Sequence, residues 1–201
     1  MHMPEKIHAF KLEQLELQTE SSAVAHLKGW YGTELSKTTW AAEWREIDNE
    51  QSTELSIGHV FAIDPFWDAG PVLSFEREDD GRDTESETWL GWQFKGTAPY
   101  FVHVDINALV GKHQQAKIEI EAEHDFPLSR SWMLQTKLDL ELGSFVEGGN
   151  RENELESWRL GWRVKYETVE RFSYYLGLEF VDSHIPESKQ WRGVAGLSWW
   201  W

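Results

Sequence analysis

Apolar and polar residues alternate with a period of two along nearly the whole chain. The pattern is plainest at 100–110. There Tyr100, Val102, Val104, Ile106, Ala108 and Val110 share one face, and His103, Asp105 and Asn107 share the other. The next segment mirrors it, with Ala116, Ile118, Ile120 and Ala122 alternating with Lys117, Glu119, Glu121 and Glu123. A strand sends successive side chains to opposite faces, whereas an amphipathic helix needs a period of 3.6, so these are strands. The same reading predicts strands over 7–17, 24–35, 39–47, 55–63, 67–75, 89–94, 132–140, 158–167, 174–180 and 193–201. The phase slips at Gln14-Leu15, as a β-bulge allows. Gly70-Pro71 weakens the fifth segment, because proline cannot donate to a ladder. The total is about twelve strands, with ten as the alternative. Residues 1–6 form a short polar lead, and 7–201 form a single β-barrel domain.

The end of the chain decides which face meets what. It closes on Gly196-Leu197-Ser198-Trp199-Trp200-Trp201, with Leu197, Trp199 and Trp201 in phase on one face and Trp200 turned to the other. Nothing in a soluble domain would cover three terminal tryptophans. In a barrel that crosses a membrane, the outward face meets lipid and aromatics belt the interface. Segments of about 9–12 residues also suit a tilted crossing of a bilayer. The expected architecture is all-β: a transmembrane antiparallel up-and-down barrel with a polar lumen. Its last strand should close a seam with the strand from Ile7. Short turns at Ser36-Lys37, Asp64-Pro65 and Gly96-Thr97 oppose longer polar loops at 78–86, 143–154 and 182–190. That asymmetry puts both termini on the periplasmic side. The start, Met1-His2-Met3-Pro4, has no apolar signal core, which is expected of a mature or recombinant form.

Composition agrees with alternation. The 201 residues include 13 Trp, 10 Phe and 5 Tyr beside 27% charged residues. No apolar run approaches the roughly 18 residues of a membrane helix. A net charge of -16 argues against nucleic acid as a partner. Cysteine is absent, so disulfides, thiolate metal sites and cysteine catalysis are excluded.

The candidate chemistry lies on the inward face. A tight turn at 111–114 would pair His103 with Glu121, Asp105 with Glu119 and Asn107 with Lys117. It would also bring Lys137 near Glu119 and Met133 near Glu123. His26 faces inward on the second strand. His2, Met3 and His8 make an N-terminal cluster. His113 and His184 fall in outer loops, where solvation is the simpler reading, and His59 falls on the lipid face of the fourth strand.

Four segments carry a family resemblance: Trp30-Tyr31-Gly32-Thr33-Glu34-Leu35, Asp64-Pro65-Phe66-Trp67-Asp68, Gly96 through Asp105 and Arg163-Val164-Lys165-Tyr166-Glu167. In order and spacing the chain resembles copper resistance protein B from about Phe10 to Trp201. The resemblance implies a Gram-negative outer-membrane barrel, non-enzymatic, that binds copper ions or passes them across the membrane. Imidazole and thioether suit Cu(I), and imidazole and carboxylate suit Cu(II). Under that resemblance the metal candidates are His2, Met3, His8, His26, His103, Asp105, Glu121 and Met133, with no catalytic residue. The implied partners are copper ions, outer-membrane lipid and a periplasmic copper-binding protein. Two other readings are a barrel enzyme of protease or lipase type and a soluble ligand-binding barrel. The first lacks a serine near His103 and Asp105, which lie about 7 Å apart along one strand. The second needs the apolar face inside.

Overall fold

The computed structural model describes residues 6–19, 22–47, 50–81, 83–112, 115–147, 150–168, 171–184 and 187–201, with backbone alone at 145–147, 150–154, 184, 187 and 188. The strands are β1 (Ile7–Gln18), β2 (Ser22–Gly32), β3 (Ser36–Ile47), β4 (Glu50–Ala62), β5 (Trp67–Asp79) and β6 (Thr84–Ala98). They continue with β7 (Val102–Val110), β8 (Ala116–Pro127), β9 (Trp132–Glu147), β10 (Asn150–Glu167), β11 (Phe172–His184) and β12 (Glu187–Trp200). Each pairs antiparallel with its sequence neighbours, and β1 pairs with β12, so the sheet closes with twelve strands. Closure leaves no unpaired edge, which is what allows a sheet to cross lipid.

The core is inverted relative to a water-soluble protein. Buried side chains include Glu16, Gln93, Lys117, Lys137, Arg163 and Glu179, while Leu15, Ile57, Leu73, Leu90, Leu176 and Leu178 are exposed on the outside. Two aromatic girdles flank this apolar band. One, at the end that carries both termini, includes the Trp132–Tyr166 pair and Phe172 stacked on Trp199. The other joins Trp158, Phe180 and Trp191 across β10, β11 and β12.

The seam forms as the terminal tryptophans predict. Leu12 faces Trp199 and Lys11 faces Trp200. The Phe10 amide donates to the Trp201 carbonyl at 3.0 Å, and the Trp201 amide returns the bond at 2.8 Å. The bulge falls between Leu12 and Gln14, so the neighbours Glu13 and Gln14 both turn inward and are buried. Gly70-Pro71 does not end β5. It interrupts pairing with β4 only opposite His59 and Val60, where a side chain on Gly70 would strike the His59 carbonyl.

Several boundaries differ from the sequence expectation. Ser36-Lys37 belongs to β3, and the turn before it is closed by the Thr33 amide donating to the Ser36 carbonyl. Tyr100 precedes strand β7. Pro99–Phe101 is a single helical turn in which Tyr100 and Phe101 both take positive φ, at 66° and 61°. The expected long loops at 143–154 and 182–190 are instead the ends of long hairpins, since β9 runs to Glu147, β10 starts at Asn150 and β12 starts at Glu187. Strands of 16 and 18 residues, β9 and β10, exceed a bilayer crossing and project beyond it. The β7–β8 connection is longer than a tight turn. Gly111 and Gln115 bond across it, which shifts the register by two residues and preserves the faces.

A candidate copper vestibule in the lumen

The inward side chains fall into three levels. At the terminus end the lumen widens into an open vestibule of about 1220 Å³. Strands β7, β8 and β9 supply His103, Asp105, Glu121, Glu123 and Met133 to its wall, and β1 and β2 supply Lys11, Glu13 and Lys28. His103 faces Glu123 and Asp105 faces Glu121 across the β7–β8 ladder, one pair further along than the sequence register had them. Lys137 faces Glu123 on β9, and Met133 faces Pro127. A residue of one parity remains on its face through any even shift, so the vestibule still gathers His103, Asp105, Glu121 and Met133.

Glu13, Glu121 and Glu123 form the densest donor group here, with one oxygen from each lying within 4.8 Å of the others. Lysines interleave them. Lys28 Nζ is 2.5 Å from Glu13 Oε1, and Lys137 Nζ is 2.9 Å from Glu121 Oε2. Asp105 accepts from Lys95 at 3.0 Å, and His103 Nδ1 lies 3.3 Å from Thr97 Oγ1. Among the described residues only that one weak contact restrains the His103 ring, which is exposed to the vestibule.

Below the vestibule the lumen is filled. Arg163 is 2% exposed and holds Glu16 through two donors, at 2.8 and 3.3 Å, and Glu179 at 2.9 Å. Arg45 pairs with Glu43, and Arg159 lies 3.5 Å from Asp139. Only about 30 Å³ of space remains among these groups. His26 sits at the boundary, buried, with Nδ1 3.0 Å from Glu13 Oε2 and 3.9 Å from Glu43 Oε2. The contact with Glu13 lacks hydrogen-bond geometry, and both atoms are otherwise without a partner.

The far level is acidic. Glu43, Glu54, Glu76 and Glu87 face one another in succession across β3, β4, β5 and β6. Glu78 faces Glu85, and Glu119 faces Glu141. Lys117 reaches into this hoop, pairing with Glu76 and, at 2.7 Å, with Glu119. Like charges directly opposite destabilise a sheet, so the hoop is a local cost that the fold sustains elsewhere.

The remaining candidates lie apart from the lumen. His8 is on the outer face, its ring 6.0 Å from that of Trp201. His2, Met3 and His113 are outside the described residues, as is the side chain of His184. His59 lies on the outer face as the phase predicted, near the terminus end. Its nitrogens are within 2.9 Å of Ser36 Oγ and 3.1 Å of Thr38 Oγ1, which satisfies the ring. Sequence reasoning left Glu13 and Glu123 out of the metal candidates, although it had put Glu123 on the inward face, and it set Lys137 beside Glu119. The phase slip near Gln14 was the signal available for Glu13.

A closed twelve-stranded antiparallel barrel with a polar lumen, an apolar outer band and two aromatic girdles is a porin-like barrel of the outer-membrane type. Solved structures agree. The KdgM porin superposes with a TM-score of 0.54 over 96% of this chain and 98% of its own, at 11% identity. The translocator domain of autotransporter NalP from Neisseria meningitidis gives 0.53 over 99% and 89%, also at 11% identity. Residues 6–201 match the family model described as copper resistance protein B precursor (CopB), and the chain belongs to that family. Among curated relatives, the copper resistance protein B homolog of Pseudomonas syringae pv. tomato is 25% identical over 96% of this chain, and copper resistance protein B of Escherichia coli is 26% identical over 84%. The chain spans 68% and 57% of their lengths.

Proposed function

We propose that this barrel serves copper resistance by taking copper as cargo, drawing the cation to the acidic hoop and holding it transiently in the vestibule. The observation that carries this reading is the convergence of Glu13, Glu121 and Glu123 oxygens within 4.8 Å, in a cavity that His103 and Met133 also line. Carboxylate with imidazole suits Cu(II), and the thioether of Met133 adds a ligand for Cu(I). The lysines set the strength of binding. Lys28 and Lys137 already act as tethered cations on Glu13 and Glu121, so an arriving ion must displace them. Such exchange favours release over storage, which suits passage. A ring of glutamates at a pore mouth raises the local cation concentration by the same physics that selects cations in channels.

In this reading the barrel sits in a Gram-negative outer membrane with its termini and vestibule toward the periplasm. There a periplasmic copper-binding protein would exchange the ion at the open mouth. His26 lies behind Glu13 as a reserve imidazole ligand. The test is copper titration of the purified barrel in detergent, monitored by isothermal calorimetry. Saturable binding that weakens about tenfold in the His103→Ala, Met133→Leu double variant, equivalent to about 1.4 kcal/mol, is the expected result. Unchanged affinity and stoichiometry in that variant would remove copper from the vestibule.

A further inference from the structure

One wall of the vestibule carries donors with nothing to donate to. Lys165 on β10 is only 7% exposed and lines the cavity, yet its ammonium makes no hydrogen bond or ion pair among the described residues. Its ladder neighbours explain this, since Met133 and Tyr175 flank it and neither is an acid. The Tyr175 ring, with its centroid 5.9 Å away, is the contact that it does make. Two further donors lie beside it. Ser173 and Ser198 face each other across β11 and β12, are equally buried, line the same cavity and hold no hydrogen bond among the described residues. Glu123 and Asp125 attract this ammonium through space without bonding to it, so a mostly buried charge keeps its donor positions open to the cavity, where an acceptor can fill them.

We infer that the vestibule binds a small carboxylate ligand at Lys165, Ser173 and Ser198, a site separate from the donors proposed for copper. One ammonium and two hydroxyls match the two oxygens of a single carboxylate. Glu123, Asp125 and Glu167 line the same cavity, with Glu167 facing Ser173 across the ladder, so they weaken binding of a monoanion and disfavour a phosphate dianion more strongly. Met133 faces Lys165 across the ladder and so lies between the two sites. A copper ion and a carboxylate chelator can therefore be held side by side. That last step rests on the copper reading, but the carboxylate site itself does not.

The probe is acetate, added to the detergent-solubilised barrel without copper and followed by saturation-transfer NMR. Lys165→Met should weaken acetate binding at least tenfold, and Lys165→Arg should retain it within about threefold. Inorganic phosphate should compete more weakly than acetate. Should Lys165→Met fail to form a barrel, the Ser173→Ala, Ser198→Ala double variant carries the test, with an expected loss of about fivefold. No acetate binding by the unaltered barrel, equal binding by the charge-removing variant, or tighter binding of phosphate would each overturn the assignment. Copper titration of the same Lys165→Met sample separates the two ideas, since copper affinity should survive there whether or not acetate binds.

Discussion

The two mouths of the lumen carry similar residue types in opposite arrangements. Around the far mouth, glutamate faces glutamate on β3, β4, β5 and β6, with Lys117 reaching among them and Arg45 pairing with Glu43 at the inner edge. Around the vestibule, several carboxylates have a lysine beside them, as Glu13 has Lys28, Glu121 has Lys137 and Asp105 has Lys95. A hoop with more acids than bases attracts any cation without discriminating, and its like-charge ladders destabilise the sheet that bears them. Interleaved lysines lower that attraction, and on the proposed copper reading selection falls to the softer donors His103 and Met133. Between the mouths, the Arg163 network fills the lumen. The proposed reading thus puts capture and discrimination at different levels of one barrel.

The largest effect should come from the chain end at the vestibule mouth. Removing Trp199–Trp201 deletes the paired amides of Phe10 and Trp201 and the Leu12–Trp199 register. Loss of heat-modifiable, membrane-inserted barrel is expected on gels of outer-membrane fractions. Trimming the far β9–β10 hairpin by residues 146–152 should leave assembly intact, because those strands already extend beyond a bilayer crossing. Equal tolerance of the two deletions would erase the distinction between the ends.

Next in size is Arg163→Met, which strands Glu16 and Glu179 in the lumen. A loss of about 3–5 kcal/mol is expected in urea unfolding from detergent, as for other buried pairs broken on one side. A small loss would mean that the central network is wet and not the barrier between the mouths. A smaller and opposite change is expected at the hoop. Glu54→Gln, Glu85→Gln and Glu87→Gln together relieve like-charge ladders and leave the Lys117 pairs in place, each ladder worth about 0.2–1 kcal/mol, so stability should rise at low salt. The gain should shrink toward zero in 1 M salt, where the Debye length falls to about 3 Å. Destabilisation of that triple variant at low salt would show that Lys117 already balances the hoop.

Much of this architecture is legible in the sequence, because lipid and lumen read alternate residues. The twelve strands, the Ile7 to Trp201 seam and the inward faces of His26, His103, Asp105 and Glu121 all follow from parity. Parity cannot fix register. Val110 faces Ala116 across a five-residue connection, so every partner assigned on β7 and β8 moved by two, and Lys137 reached Glu123 and not Glu119. Nor does alternation survive outside the bilayer. Once β9 and β10 project into water both faces can be polar, and the projecting strands look like loops. The bulge on β1 has a similar cost, since it turns two successive residues inward and hides Glu13 behind an apparent break in phase.

The most direct test is a crystal of the barrel soaked in copper and measured at the copper absorption edge. Anomalous density inside the vestibule, within ligand distance of two or more of Glu13, Glu121, Glu123, His103 and Met133, is the predicted result. Density confined to the glutamate hoop, or to His8 on the outer face, would contradict the assignment of discrimination to the vestibule.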